Sequence, residues 1–205
     1  MADALARAPR PIPMDERLLP RTAGGEVNRR RYDRGSFPPA RPASTLLALY
    51  PDAAGDLVLP LTVRHGDLRA HAGEVSLPGG AVDPADASRE AAALREAWEE
   101  VGIPPTDVRI VGVLDDVWIP VSNFEMRPFV GTLARRPTLV PHDAEVTAIV
   151  ELPLAALWDP DVMGVEEVVA RGTTLRAGAY RYGGVVVWGA TAITLGMLAH
   201  VLDGA

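Results

Sequence analysis

One stretch constrains this chain more than any other. Gly79 to Ile103, GGAVDPADASREAAALREAWEEVGI, reads as an amphipathic helix set between turn residues. The periodicity predicts a helix over Asp86 to Val101; Gly102 supplies a left-handed stop and Pro104-Pro105 bars continuation. At about 100° per residue, Glu96, Glu99 and Glu100 share an arc of roughly 100°, while Ala91, Leu94, Ala97, Trp98 and Val101 lie opposite. Ala92 and Ala93 sit one turn back on the acidic side. The pattern therefore predicts carboxylates looking out over small side chains with room for a ligand, and Trp98 in the core.

The flanks of this helix are strand-like. TLLALY (Thr45 to Tyr50) and LVLPLTV (Leu57 to Val63) are split by Pro51-Asp52 and Gly55, which suits a hairpin. Further short apolar runs occupy Val108 to Val117, Phe129 to Leu133, Val146 to Leu152 and Val185 to Trp188. A second helix is predicted over Ala190 to Leu202, with a short turn at Leu154 to Trp158. Strands in several runs around one embedded helix point to a mixed sheet sandwiched by helices. Residues 1 to 41 are rich in Pro, Gly and Arg and show no sustained period, so they read as an arm partly ordered against a single domain over 42 to 205. Arg29-Arg30-Arg31 with Arg34 is either a solvated basic tail or a phosphate contact.

Composition removes whole chemistries. With no cysteine there is no thiol nucleophile and no Cys-ligated metal. With no lysine, all 20 basic residues being arginine, there is no P-loop lysine and no Schiff base. A net charge of −7 argues against a nucleic-acid coat and leaves the attraction of an anionic substrate to local groups or a metal. No apolar run reaches the ~18 residues a membrane span needs, and Arg10 and the early prolines break any signal-peptide core, so the expectation is a cytoplasmic protein with no membrane partner.

Three glutamates this close repel one another by a few tenths of a kcal/mol per i,i+4 pair in water, and by more in a dry cleft. Magnesium or manganese would relieve that, because hard cations take carboxylate oxygens together with substrate phosphates. Acidic helix faces are also commonly plain wet surface. The helix by itself leaves both open.

The surroundings tip the balance. Arg95-Glu96-Ala97-Trp98-Glu99-Glu100-Val101-Gly102-Ile103 resembles the second half of the Nudix box, G-x5-E-x7-R-E-U-x-E-E-x-G-U, at every fixed position. The first half is one residue too long between Gly80 and Arg95, and its acid aligns with Ala87, leaving Asp86 or Glu90 to stand in. Upstream, PLTVRHGDLRAHAGEVSLPGG (Pro60 to Gly80) resembles the motif of the coenzyme A pyrophosphatase branch through Leu61, Thr62, Arg64, Arg69, Gly73, Pro78, Gly79 and Gly80. Pro60, where the motif has Leu, removes a strand donor and suggests an edge.

The resemblance implies an α/β (α+β) Nudix-type α/β/α sandwich with a mixed sheet. It implies Glu96 and Glu100 as metal ligands for Mg2+ or Mn2+, with Glu99 and the Gly80 carbonyl adding to them and Arg95 bracing the glutamates. Glu99 and Glu145 are the candidates for the general base. Arg64 and Arg69 are expected to clamp phosphate, with His71 and Gly79 also at the substrate. His65, His71, His142 and His200 have no ligand spacing, and Trp98 and Trp188 are expected in the core. The implied reaction is hydrolysis of coenzyme A or a thioester of it to 3′,5′-ADP and 4′-phosphopantetheine. A Nudix hydrolase of ADP-ribose or NADH, or a catalytically silent Nudix-like module, are the alternatives, and a homodimer is left open.

Overall fold

The computed structural model describes residues 1–22, 24–27, 34–65, 74–142, 144–170 and 172–204. Along the chain come α1 (Ala2–Arg7), β1 (Arg41–Pro51), β2 (Leu57–Arg64), β3 (Val75–Ser76), β4 (Gly79–Ala81), α2 (Arg89–Val101), β5 (Arg109–Val113), β6 (Val117–Ile119), β7 (Phe124–Thr132), β8 (Val146–Pro153), β9 (Met163–Ala170), β10 (Thr173–Tyr182), β11 (Val185–Val187) and α3 (Gly189–Asp203). The α+β architecture and mixed sheet expected from the sequence are present.

β1 is the spine. It runs parallel to β7 from Arg41↔Phe124 to Leu49↔Thr132, turns into β2 through an antiparallel hairpin, and takes β4 on its N-terminal half. β8 and β3 extend the sheet from β2, and β5 and β6 from β7. Alternate residues of β1 point into different cores. Leu46, Ala48 and Tyr50 pack with Ala93, Ala97, Val101 and Ile103 of the α2 side. Leu47 and Leu49 pack with Leu195, Leu198 and Val201 of α3. Burial on both faces explains why TLLALY is a continuous apolar run and not an alternating one. α3 is apolar nearly all round and correspondingly buried. No helix among the described residues is long and apolar enough to cross a membrane.

Four features depart from the sequence reading. α2 starts at Arg89, three residues after Asp86, with the Ser88 side chain accepting from the Ala91 N–H as its cap. Its buried residues are Ala92, Ala93, Ala97, Glu100 and Val101, whereas Trp98 is 53% exposed. The small side chains beside the acids therefore let the helix lie close on the sheet, and Trp98 is not a core residue. The run Val108 to Val117 is broken between β5 and β6, where Asp115 takes Arg10 and the Ile12 N–H, and Asp116 takes Arg127. The antiparallel pair β9 and β10, which forms a second sheet with β11, had no counterpart in the sequence reading.

Pro60 lies within β2 opposite Glu151 of β8. On the other flank β1 pairs only at Leu57 and Val58 and β3 only at Thr62 and Val63, so Pro60 stands in a gap of the ladder where no donor is needed. The N-terminal segment docks through Leu5 and Leu18, both buried. Gly112 makes room for Leu5, Gly196 for Leu18, and Gly178 for the Arg17 and Leu18 backbone, since a Cβ at each would collide.

Candidate active site

The site forms where β1, β4 and α2 meet. Leu46 N–H and Thr45 Oγ1 both donate to the Pro78 carbonyl, at 2.9 and 2.7 Å, and fix the entry to the Gly79-Gly80 strand. A Cβ at Gly79 would strike the Ser44 carbonyl, and one at Gly80 would strike the Glu96 carboxylate. The two glycines thus bring bare backbone against the acidic helix face. Gly79 N–H donates to Glu100 Oε2 at 3.1 Å.

Arg64, Gly79, Gly80, Glu96, Glu99, Glu100 and Glu145 line one cleft of about 980 Å³. Glu145 arrives because the loop before β8 completes the end of α2. Val140 N–H donates to the Val101 carbonyl and His142 N–H to the Glu100 carbonyl, and His65 N–H then holds the Glu145 carbonyl. Arg95 stands beside the cleft as a brace. It bonds Asp86 through Nε and Nη2, both at 3.0 Å, and reaches Glu96 at 2.9 Å and Glu99 at 2.8 Å through Nη1. Arg69 and His71 lie outside the described residues. Trp188 is half-buried against Val168, Leu175 and Ala177 and also lines the cleft.

Electrostatics separates the three glutamates. The Glu100 side chain is only 4% exposed, and burial pushes its carboxyl up to about 7, although Gly79 N–H and Arg64 favour the charged form; Glu96 and Glu145 raise it further. Glu96 is also raised, first by burial, against the pull of Arg95. Glu99 is 55% exposed at the rim. Asp86 is held below its usual range by the Arg95 guanidinium. The Arg64 guanidinium approaches Glu100 at 3.4 Å, a long contact that leaves the carboxylate short of full compensation.

Among the described residues no three acidic or histidine side chains already form a closed cation shell. The donor chemistry nevertheless fits a hard divalent ion: two carboxylates are pressed against a glycine turn, and burial disfavours the charge that a cation there would stabilise. The apolar wall of the cleft, with Trp118, Phe124 and Met126 of β6 and β7, lies downstream of the box and carries no motif. Sequence pattern had no means of marking it.

The NUDIX domain model matches residues 41–170. The "Uncharacterized Nudix hydrolase NudL" of Salmonella newport is 44% identical over 141 residues, covering 69% of this chain and 73% of that protein, and the protein of that name from Salmonella agona is equally similar. Among solved structures, the Nudix hydrolase RenU of M. smegmatis superposes with a TM-score of 0.53 at 19% identity, covering 90% of this chain and 94% of its own, which speaks to the fold. With the box helix, the glycine turn and the sandwich in place, this chain belongs to the NUDIX family of hydrolases.

Proposed function

We propose that the protein hydrolyses the pyrophosphate linkage of coenzyme A or its thioesters, releasing 3′,5′-ADP and 4′-phosphopantetheine. The observation that carries this reading is the placement of Glu96 and Glu100, desolvated and adjacent, on the wall of a cleft that also holds Arg64 and Gly79 of the upstream motif. Family membership supports diphosphate hydrolysis; the upstream motif supports coenzyme A.

Glu96 and Glu100, with Glu99 and the Gly80 carbonyl, are the groups that would hold a magnesium or manganese ion, which supplies positive charge to the diphosphate oxygens and makes the attacking water more acidic. Arg95 keeps Glu96 and Glu99 in place, itself anchored by Asp86. Arg64 and Arg69 of the upstream motif are the phosphate-binding groups, with His71 and Gly79 also at the substrate. Glu99 at the rim and Glu145, which lines the same cleft, are the candidates to accept the proton of water. No covalent nucleophile is required. A silent binding module is the weaker reading, because burying two carboxylates costs stability and needs a function to offset it.

The test is product analysis. Purified protein with Mg2+ or Mn2+ should release adenosine 3′,5′-bisphosphate from coenzyme A, and faster than it cuts ADP-ribose or NADH. Faster cleavage of either of those overturns the substrate, and no cleavage of any diphosphate overturns the reaction.

A further inference from the structure

At the mouth of the same cleft stands a feature that neither motif reaches. Resting on the reading above, we propose that Arg41, stacked on Phe124, takes a phosphomonoester on the substrate's ribose, a group separate from the diphosphate that is cut. Arg41 opens β1 and lies directly across from Phe124 in the parallel ladder with β7. Its guanidinium carbon sits 4.1 Å from the Phe124 ring centroid.

Among the described residues its side chain makes a 3.5 Å Nη2 contact to the Ser122 carbonyl and has no carboxylate partner. The neighbouring arginines differ. Arg34 pairs with Glu125, Arg64 with Glu100, and Arg89 and Arg127 with Asp116. Arg41 is the cleft-lining cation that no acid claims among the described residues. Stacking on a ring fixes the plane of a guanidinium and leaves its N–H edge for a bidentate bond to phosphate oxygens.

The mount is built. Asn123 adopts φ 52° at the tip of the β6–β7 hairpin, accepts from Trp118 Nε1 at 3.1 Å, and donates to the Pro38 and Pro39 carbonyls at 3.2 and 3.3 Å. Phe124 follows it directly, so the ring is held where the arginine meets it. Arg41 is three residues along β1 from Ser44, which pairs with Gly80 of the site; at the rise of a strand that is roughly 10 Å. One ribose plus the reach of an arginine spans it. In the reading above the glutamates and Arg64 are taken up by the metal and the diphosphate, so a second phosphate needs a cation of its own at the mouth.

Titration calorimetry on the full chain, with adenosine 3′,5′-bisphosphate and with AMP, tests this. The unaltered protein should bind the bisphosphate at least about tenfold more tightly than AMP. Arg41→Gln should bring that ratio close to one, with the loss falling on the bisphosphate, and Arg41→Lys should keep part of it. A ratio near one in the unaltered protein, an unchanged ratio in Arg41→Gln, or equal losses for both ligands overturns the assignment. Hydrolysis of coenzyme A by the same preparations keeps the two readings apart. An Arg41-dependent ratio without cleavage refutes the reaction and upholds the phosphate site; cleavage without the ratio does the reverse.

Discussion

Glu100 is the residue on which physical chemistry and function meet most sharply. Burial raises its carboxyl from the ordinary 4.5 to about 7, so the folded state binds this proton more tightly than the unfolded chain does. The stability this confers is complete below about 4.5 and is lost as pH rises through about 7. At pH 8 without divalent metal, the ionised carboxylate should cost up to about 3 kcal/mol. Glu100→Gln should therefore raise the metal-free melting temperature at pH 8 and change it little at pH 4.5, as thermal unfolding at the two pH values will show. A variant destabilised at pH 8 would mean the carboxylate is satisfied by the protein alone. The box pattern named Glu96, Glu99 and Glu100, but a pattern treats them alike. Only the packing of α2 on β1 divides them into two desolvated groups and one at the rim. Asp86, seen from the sequence as a stand-in for the missing early acid, anchors Arg95, and the one-residue offset in the motif hid that pairing.

At the scale of elements, legibility followed local signals. The hairpin of β1 and β2 was readable because Pro51-Asp52 and Gly55 sit between two apolar runs, and the end of α2 because Gly102 has φ 77°. The hydrophobic pattern of α2 predicts Trp98 inside, yet Ala92, Ala93, Ala97 and Val101 fill the contact with the sheet and Trp98 stays exposed. β10 is not legible in the sequence because Gly178 interrupts its pattern. That glycine exists for a contact distant in sequence, the Arg17 and Leu18 backbone lying across it. Leu18 is fully buried against α3 and β10, so Leu18→Ala should cost about 2–5 kcal/mol in chemical denaturation. A loss under about 1 kcal/mol would show that residues before β1 are not integral to the fold.

For the whole molecule, the α/β/α arrangement does one thing for the chemistry: it presses an acidic helix turn and a glycine strand together at the edge of a cleft whose other wall is apolar. The sandwich was inferable from the order of strands and helices. The cleft was not, because Phe124 reaches it through a parallel pairing with Arg41 over a long sequence distance, while Trp118 on β6 and Trp188 at the start of α3 come from separate parts of the chain, and no local pattern encodes that meeting. The negative net charge fits a site that recruits its cation from solution. Binding of Mn2+ measured by calorimetry at pH 8, for the unaltered protein and for Glu96→Gln and Glu100→Gln, decides whether these carboxylates hold a cation. Saturable binding that either substitution weakens by about tenfold or more is expected; equal affinity in all three proteins would mean that neither glutamate is a ligand.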